Sequence, residues 1–402
     1  MKDRLVVIGN GMAGIRAVEE MLARAPGRFD ITVFGAEPHF AYNRIMLSPV
    51  LAGEKSFDDI VSHGADWYAE AGVELRRSAP VSGIDPAARE VMTSAGERIS
   101  YDKLILATGS HPIMLPLPGA ELDGVVSFRD AFDVDRMVVA AGRGGRAVVI
   151  GGGLLGLEAA NGLLARGMKV TVVHLMPGLM ERQLDVEAGR MLRRELEGRG
   201  IEVVTGAVTE AILGTDRVTG VKLKLGPEIE ADLVVMAVGV RPNADLARSA
   251  GLVVDRGVVV DDEMRTSDPH IFAVGECVQH RGSCYGLVAP LYDMAAVLAR
   301  TLVGAGGSYV PAATATRLKV TGIDLFSAGD FAPAEDREDV VLRDPGRGVY
   351  RRLVLKDDRL IGAVLYGDTA DGAFFFNLIQ SGADTAPIRD TLIFGPALCA
   401  AA

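Results

Sequence analysis

Two glycine triplets hold the residues best placed to do chemistry. Ile8-Gly9-Asn10-Gly11-Met12-Ala13-Gly14 and Ile150-Gly151-Gly152-Gly153-Leu154-Leu155-Gly156 both read G-x-G-x-x-G. In this pattern a tight strand-to-helix turn aims backbone N–H groups and a positive helix end at a dinucleotide pyrophosphate. The first glycine permits the turn, the second lets the backbone approach the phosphates, and the third lets the helix lie close on the strand. Met12, Ala13, Leu154 and Leu155 belong to the same two cofactor-binding turns. Two such turns imply two dinucleotides, one a flavin and one a nicotinamide, because hydride transfer needs a donor and an acceptor.

Other side chains take roles around these turns. Glu37 stands roughly 20 residues beyond Gly14, where a carboxylate accepts hydrogen bonds from a ribose. Arg44, with Ser48 in the loop Ala41–Pro49, could meet phosphate or the isoalloxazine ring, or else be solvated. Thr108-Gly109 follows an apolar strand, and Gly239 follows another. Glu158 lies on the first turn of the second helix, where it would reach the nicotinamide amide or ribose, or else only complement the helix dipole. Arg44 and Glu158 are the candidate catalytic residues. Gly275-Glu276 offers an acid to a ribityl hydroxyl, and Leu287-Val288 open a helix whose N-terminus stabilises negative charge on a reduced flavin. The second strand after Gly156 ends at His174 instead of an acid, and no tight arginine cluster replaces it, although Arg182 is near. NADH is therefore expected over NADPH.

The elements that position these groups follow from periodicity. Leu5–Ile8 is a buried strand, Met12, Ile15, Val18 and Leu22 share one helix face, and Ile31–Phe34 is the next strand. The order repeats in Ala147–Ile150, a helix to Arg166, and Lys169–Val173. Pro112, Pro116 and Pro118 mark one hinge, and the buried strand and turn of Ala231–Asn243 form a second. After Gly257 the chain returns to the first domain with the strand near His270–Ala273 and a helix ending near Leu302. Strands Tyr350–Leu355 and Leu360–Tyr366, joined by the turn Lys356–Arg359, and a helix over Ala373–Gln380 follow. Phe374, Phe375 and Phe376 suit a core or a subunit contact. The expected fold is α/β: two Rossmann-like dinucleotide-binding domains, for FAD and NAD(P)H, plus a small α+β C-terminal domain. The expected boundaries are 1–113 and 244–312 for FAD, 114–243 for NAD(P)H and 313–402 for the C-terminal interface domain.

Composition bounds the rest. The 402 residues need two or three domains, and 49% hydrophobic residues with 48 glycines and 5% aromatics suit a turn-rich α/β protein. A net charge of -11 disfavours nucleic acid and anionic membrane as partners. Cys277, Cys284 and Cys399 form no C-x-x-C and no disulfide framework, so a reducing compartment, the cytoplasm, is expected. Cys277, His280 and Cys284 lack a fourth ligand at zinc-like spacing, so no metal is expected. No signal-peptide core and no membrane span is expected either.

The whole chain resembles the two-dinucleotide-binding flavoprotein oxidoreductases. Within them it is similar to the flavoprotein part of assimilatory nitrite reductase large subunits and to electron-transfer subunits of assimilatory nitrate reductase. The matching residues are Phe34-Gly35-Ala36-Glu37, Tyr42-Asn43-Arg44, Leu47-Ser48-Pro49-Val50-Leu51-Ala52-Gly53-Glu54, His174-Leu175-Met176-Pro177, Glu181-Arg182-Gln183-Leu184-Asp185 and Gly275-Glu276-Cys277. Tyr285-Gly286-Leu287-Val288-Ala289-Pro290, Leu318-Lys319-Val320 and Phe326-Ser327-Ala328-Gly329-Asp330 match as well. The resemblance implies FAD at Gly9, Gly11, Gly14, Glu37, Arg44, Thr108, Gly109 and Glu276, and nicotinamide at Gly151, Gly153, Gly156, Glu158 and Gly239. It departs at Pro49, where related ferredoxin reductases often carry lysine, and at Glu276, where many relatives carry aspartate. Nitrite reductase chains continue into iron–sulfur and sirohaem modules, so this stretch by itself is expected not to reduce nitrite.

The activity expected is an FAD-dependent NAD(P)H dehydrogenase feeding a separate iron–sulfur or molybdenum protein, the catalytic subunit of a nitrate or nitrite reductase, in a homo- or hetero-oligomer. The alternatives are a rubredoxin or ferredoxin reductase, an NADH oxidase, or a non-catalytic flavin-containing redox subunit. No cysteine stands in the loop Ala41–Pro49, where disulfide reductases and flavin peroxidases place redox thiols, so electrons are not expected to leave by a thiol.

Overall fold

A computed structural model describes residues 2–311, 315–320 and 322–399. The chain divides into two compact units. The first takes the chain up to Val50, then Lys55–Ile113 and the stretch that begins at Val240. The second takes Leu51–Glu54, Met114–Gly239 and the C-terminal region.

The first unit is built on a five-stranded parallel sheet in the order Ile271–Ala273, Lys103–Leu106, Asp3–Ile8, Phe29–Phe34, Val73–Arg76. Leu5, Val7, Leu104, Ile105 and Ile271 are fully buried, as strands covered on both faces must be, and this is why they read as unbroken apolar runs. Helices Met12–Arg24 and Val288–Leu302 pack on one another. Ile8 pairs with Leu106 and Leu106 with Ala273, so three strand ends lie side by side. The ends of the two hinge stretches meet in a ribbon within this unit: Val240–Pro242 runs antiparallel to Ser110–Pro112.

The second unit repeats the plan, in the order Ile201–Thr205, Lys169–His174, Arg146–Ile150, Leu233–Met236, Val125–Ser127, with helix Leu154–Ala165 after the glycine turn. It also holds an antiparallel sheet, in the order Ala315–Val320, Ile323–Gly329, Arg359–Tyr366, Val349–Lys356, Glu338–Asp344, against which helix Gly372–Ser381 packs. Phe375 is fully buried there, so the core reading holds for it, while Phe374 and Phe376 are partly buried at the edge of the same cluster. The side chains of Leu318, Lys319 and Val320, and the terminal residues Ala400–Ala402, lie outside the described residues. Two small antiparallel sheets, Val81–Asp85 with Glu90–Thr93 and Arg98–Ser100, and Thr209–Gly214 with Val218–Leu223 and Ile229–Glu230, stand where the sequence had suggested no element.

Candidate functional site

The candidate residues fall into two groups, one in each unit. In the first, Gly9 has φ +125° and a Cβ there would stand 2.1 Å from the Ala107 carbonyl oxygen; at Gly14 a Cβ would stand 2.2 Å from the Gly9 carbonyl oxygen. Gly11 differs: nothing lies within 4 Å of the place its Cβ would take, and it is the N-cap of helix Met12–Arg24. The turn is closed behind and open in front, which is what a pyrophosphate needs. In the second unit a Cβ on Gly151 would meet the Ala237 carbonyl oxygen at 2.2 Å, one on Gly156 would meet that of Gly151 at 2.0 Å, and Gly153 is open. Leu154, Leu155 and Glu158 lie on the first two turns of the helix that follows, and Glu158 is half-buried.

The end of the strand Phe29–Phe34 leads to Glu37. Tyr42 donates its hydroxyl to Glu37 Oε2 at 2.7 Å, and the Arg44 guanidinium pairs with Glu37 Oε1 while lying 5.0 Å from the Tyr42 ring centroid. Arg44 is therefore held at the carboxylate and is not a solvated surface arginine. Ser48 lies in the short helix Leu47–Ala52. Asn10, inside the glycine turn, accepts the Tyr68 hydroxyl at 2.7 Å, and that hydroxyl is pushed up to about 12 by burial.

The neighbouring strand ends supply the remaining groups of this unit. Thr108 donates its hydroxyl to the Asn243 carbonyl at 2.7 Å, and the Asn243 side chain donates to the Thr108 carbonyl at 2.9 Å, so the Thr108-Gly109 turn is braced from both sides. Glu276 Oε2 accepts the Ser110 hydroxyl at 2.8 Å. Gly275, with φ +95°, passes so close to Ala13 that a Cβ on it would stand 2.9 Å from the Ala13 Cβ. This close approach brings the Gly-Glu turn onto the first fingerprint. Leu287 precedes and Val288 opens the helix that packs on Met12–Arg24.

His174, at the end of its strand, is buried; Gly152 N–H donates to its Nδ1 at 3.0 Å and its Nε2 lies 3.0 Å from Glu181 Oε2. Gly239 has φ +125° and follows the strand Leu233–Met236. Cys277 is fully buried, its thiol pushed up by burial and directed at the carbonyls of Val274 and Leu106. His280 bonds Asp262 at 2.8 Å. Among the described residues no group of three or more histidines, cysteines or carboxylates is arranged to hold a metal, and no helix is long and apolar enough to cross a membrane.

Sequence reasoning missed Asn243 as the brace of Thr108 and Ser110 as the partner of Glu276, because those pairs lie 135 and 166 residues apart. It named Tyr42 but not its bond to Glu37, for which a tyrosine five residues beyond the acid was the available signal.

Residues 3–292 match the pyridine nucleotide-disulphide oxidoreductase family. The chain belongs to this family. FAD and NAD(P)H are its cofactors, and the two glycine turns fit them. Residues 315–383 match the rubredoxin NAD+ reductase C-terminal domain. The chain is similar to nitrite reductase [NAD(P)H] of Bacillus subtilis (strain 168), 50% identical over 396 residues, which are 98% of this chain and 49% of that protein. It is also similar to the assimilatory nitrate reductase electron transfer subunit of the same organism, 46% identical over 371 residues, 92% of this chain and 48% of that one. The chain spans about half the length of these curated relatives. The crystal structure of NADH:rubredoxin oxidoreductase from Clostridium acetobutylicum matches with a TM-score of 0.82 and 28% identity, covering 98% of this chain and 99% of that one. The family name refers to a disulphide, yet the loop Ala41–Pro49 contains no cysteine.

Proposed function

We propose that the chain oxidises NADH and delivers the electrons to a separate redox protein, the iron–sulfur or molybdenum catalytic subunit of a nitrate or nitrite reductase. Bound FAD would supply the exchange between two-electron nicotinamide chemistry and one-electron acceptors. The observation that carries this reading is the pair of open glycine turns, one per unit, in a chain whose flavin loop offers no thiol to take the electrons. Similarity to a nitrite reductase and to a nitrate reductase electron transfer subunit supports the acceptor.

In this reading residues 1–113 and 244–312 hold FAD, 114–243 hold the nicotinamide dinucleotide and 313–402 face the partner. Gly11, Met12 and Ala13 receive the flavin pyrophosphate. Glu37, steadied by Tyr42 and Arg44, takes the ribose, while Thr108, Gly109, Gly275 and Glu276 line the ribityl side. The N-terminus of helix Val288–Leu302, capped at Leu287, would favour negative charge on a flavin held beside it. Gly153, Leu154, Leu155 and Gly239 receive the nicotinamide dinucleotide, and Glu158 orients its reacting end. The protein works in the cytoplasm, in a homo- or hetero-oligomer.

Anaerobic titration of the purified flavoprotein with NADH and with NADPH, followed by air and then ferricyanide, tests this. Bleaching by NADH, slow reoxidation in air and fast reoxidation by ferricyanide are expected. A flavin that neither nucleotide bleaches overturns the reading, and fast reoxidation in air makes the protein an oxidase.

A second reading, reduction of rubredoxin, is favoured by the C-terminal match over residues 315–383. Turnover with rubredoxin that exceeds turnover with the nitrate reductase catalytic subunit would select it.

A further inference from the structure

The second strand of the second unit ends in histidine, yet a carboxylate stands beside it. His174 lies with its ring against the glycine turn: a Cβ on Gly152 would be 2.8 Å from the ring carbon Cγ, and the Gly152 N–H donates to Nδ1 at 3.0 Å. An Nδ1 that accepts carries no proton, so Nε2 is the donor to Glu181 Oε2 at 3.0 Å. His174 is 8% exposed, whereas the Glu181 side chain is 37% exposed. The histidine thus works from below the surface and the glutamate on it.

The intervening chain is built to hold this arrangement. Met180 adopts a left-handed backbone with φ +52°, and its N–H donates to the Gly152 carbonyl at 3.0 Å. Leu179 is buried, with its side chain where a Cβ on Gly152 would be only 2.6 Å away. Beyond it, Asp185 caps the next helix by accepting the Ala188 N–H at 2.9 Å. Glu181 Oε1 bonds no other group among the described residues, so it can accept from a hydroxyl. Leu175 and Met176, directly after the strand end, are 61% and 43% exposed and offer an apolar surface to a purine.

We infer that Glu181, held at the strand end by His174, is the carboxylate that takes the adenosine ribose and turns away a 2′-phosphate, and so sets the preference for NADH. This rests on the proposed binding of a nicotinamide dinucleotide in this unit. A ribose 2′-hydroxyl donates to a carboxylate; a 2′-phosphate brings negative charge against one. Arg182 is exposed and makes no bond among the described residues, so it opposes Glu181 and would pair with a 2′-phosphate once the acid is neutralised.

Isothermal titration of the FAD-loaded chain with NAD+ and with NADP+ tests this, on the natural protein, Glu181→Gln and Glu181→Asp. The natural protein is expected to bind NAD+ about tenfold or more tighter than NADP+. Glu181→Gln is expected to shrink that ratio by about tenfold, chiefly by tightening NADP+, while Glu181→Asp keeps most of it. A group that only supports the loop would weaken both nucleotides alike and leave the ratio unmoved. An unchanged ratio in Glu181→Gln, or equal affinities in the natural protein, overturns the inference while flavin reduction by NADH leaves the proposed function standing. Failure to bind either nucleotide overturns both.

Discussion

The Tyr350 hydroxyl donates to Asp185 Oδ2 at 2.6 Å across 165 residues of chain, and so ties the antiparallel C-terminal sheet to the helix Val186–Gly198 on the parallel sheet of the same unit. Arg352 approaches the same oxygen at 3.5 Å and pairs with Asp339 at 3.0 Å; the side chains of Asp185 and Arg352 are each 9% exposed. Removing one donor from a buried carboxylate costs about 1–3 kcal/mol. Tyr350→Phe is expected to lose that much in urea unfolding followed by circular dichroism, and Arg352→Met about 3 kcal/mol, since it leaves two acids without their cation. Unchanged midpoints in both variants would mean that this contact contributes nothing.

The glycine turns separate folding from cofactor binding. Gly9→Ala drives a Cβ into the Ala107 carbonyl and is expected to yield little folded protein. Gly11→Ala meets no protein atom and has an extended backbone that alanine adopts freely, so the flavin-free chain should keep its stability within about 0.5 kcal/mol while flavin content falls steeply. Gly153→Ala is expected to keep its flavin and lose affinity for NADH. Flavin absorbance per protein and nucleotide titration distinguish the three.

Thiol chemistry should be irrelevant to turnover. Cys277 is fully buried and Cys284 is exposed, and burial pushes both thiols up. Iodoacetamide is expected to label Cys284 in the native protein and Cys277 only after unfolding, with NADH–ferricyanide activity unchanged by native labelling. Peptide mass mapping beside an activity assay reads both, and inactivation that tracks labelling would sink the thiol-free reading.

Acid should weaken the protein through its paired aspartates. Hydrogen bonds from Arg4 hold Asp102 down at about 2, Arg281 and then His280 do the same for Asp262, and Arg337 does so for Asp330, against an ordinary value of 3.8. Each folded value lies below the unfolded one, so the stabilisation is complete above about pH 4 and is lost as the pH falls toward 2. The thermal midpoint is expected to drop between about pH 4 and about pH 2, less steeply in Asp102→Asn and in high salt, because these pairs are near the surface. An acid limb with the same slope in the variant would remove Asp102 from the cause.

Much of the fold was legible because strands buried on both faces leave a simple trace, an apolar run that stops at glycine, as Leu5–Ile8 and Ala147–Ile150 do. The two small antiparallel sheets left none: Val81–Asp85 is half exposed and has no strong alternation to read. At the candidate site the glycines were readable because the turn itself demands them. The partners of the acids were not. Arg44 could be given phosphate, ring or solvent from its loop, and only the folded turn brings it to Glu37. His174 and Glu181 are seven residues apart, but their meeting depends on the left-handed turn at Met180, which methionine does not announce.

In the proposed reading Gly11 and Gly153 would present main-chain amides to phosphate, and an amide neither gains nor loses a proton in the physiological range and is not readily oxidised. Such a grip on the two diphosphates would be indifferent to acidification and to peroxide. Tuning of the nucleotide choice would then fall to side chains around the sugar, the base or the ring, such as Glu181 on the surface and the buried His174 that holds it.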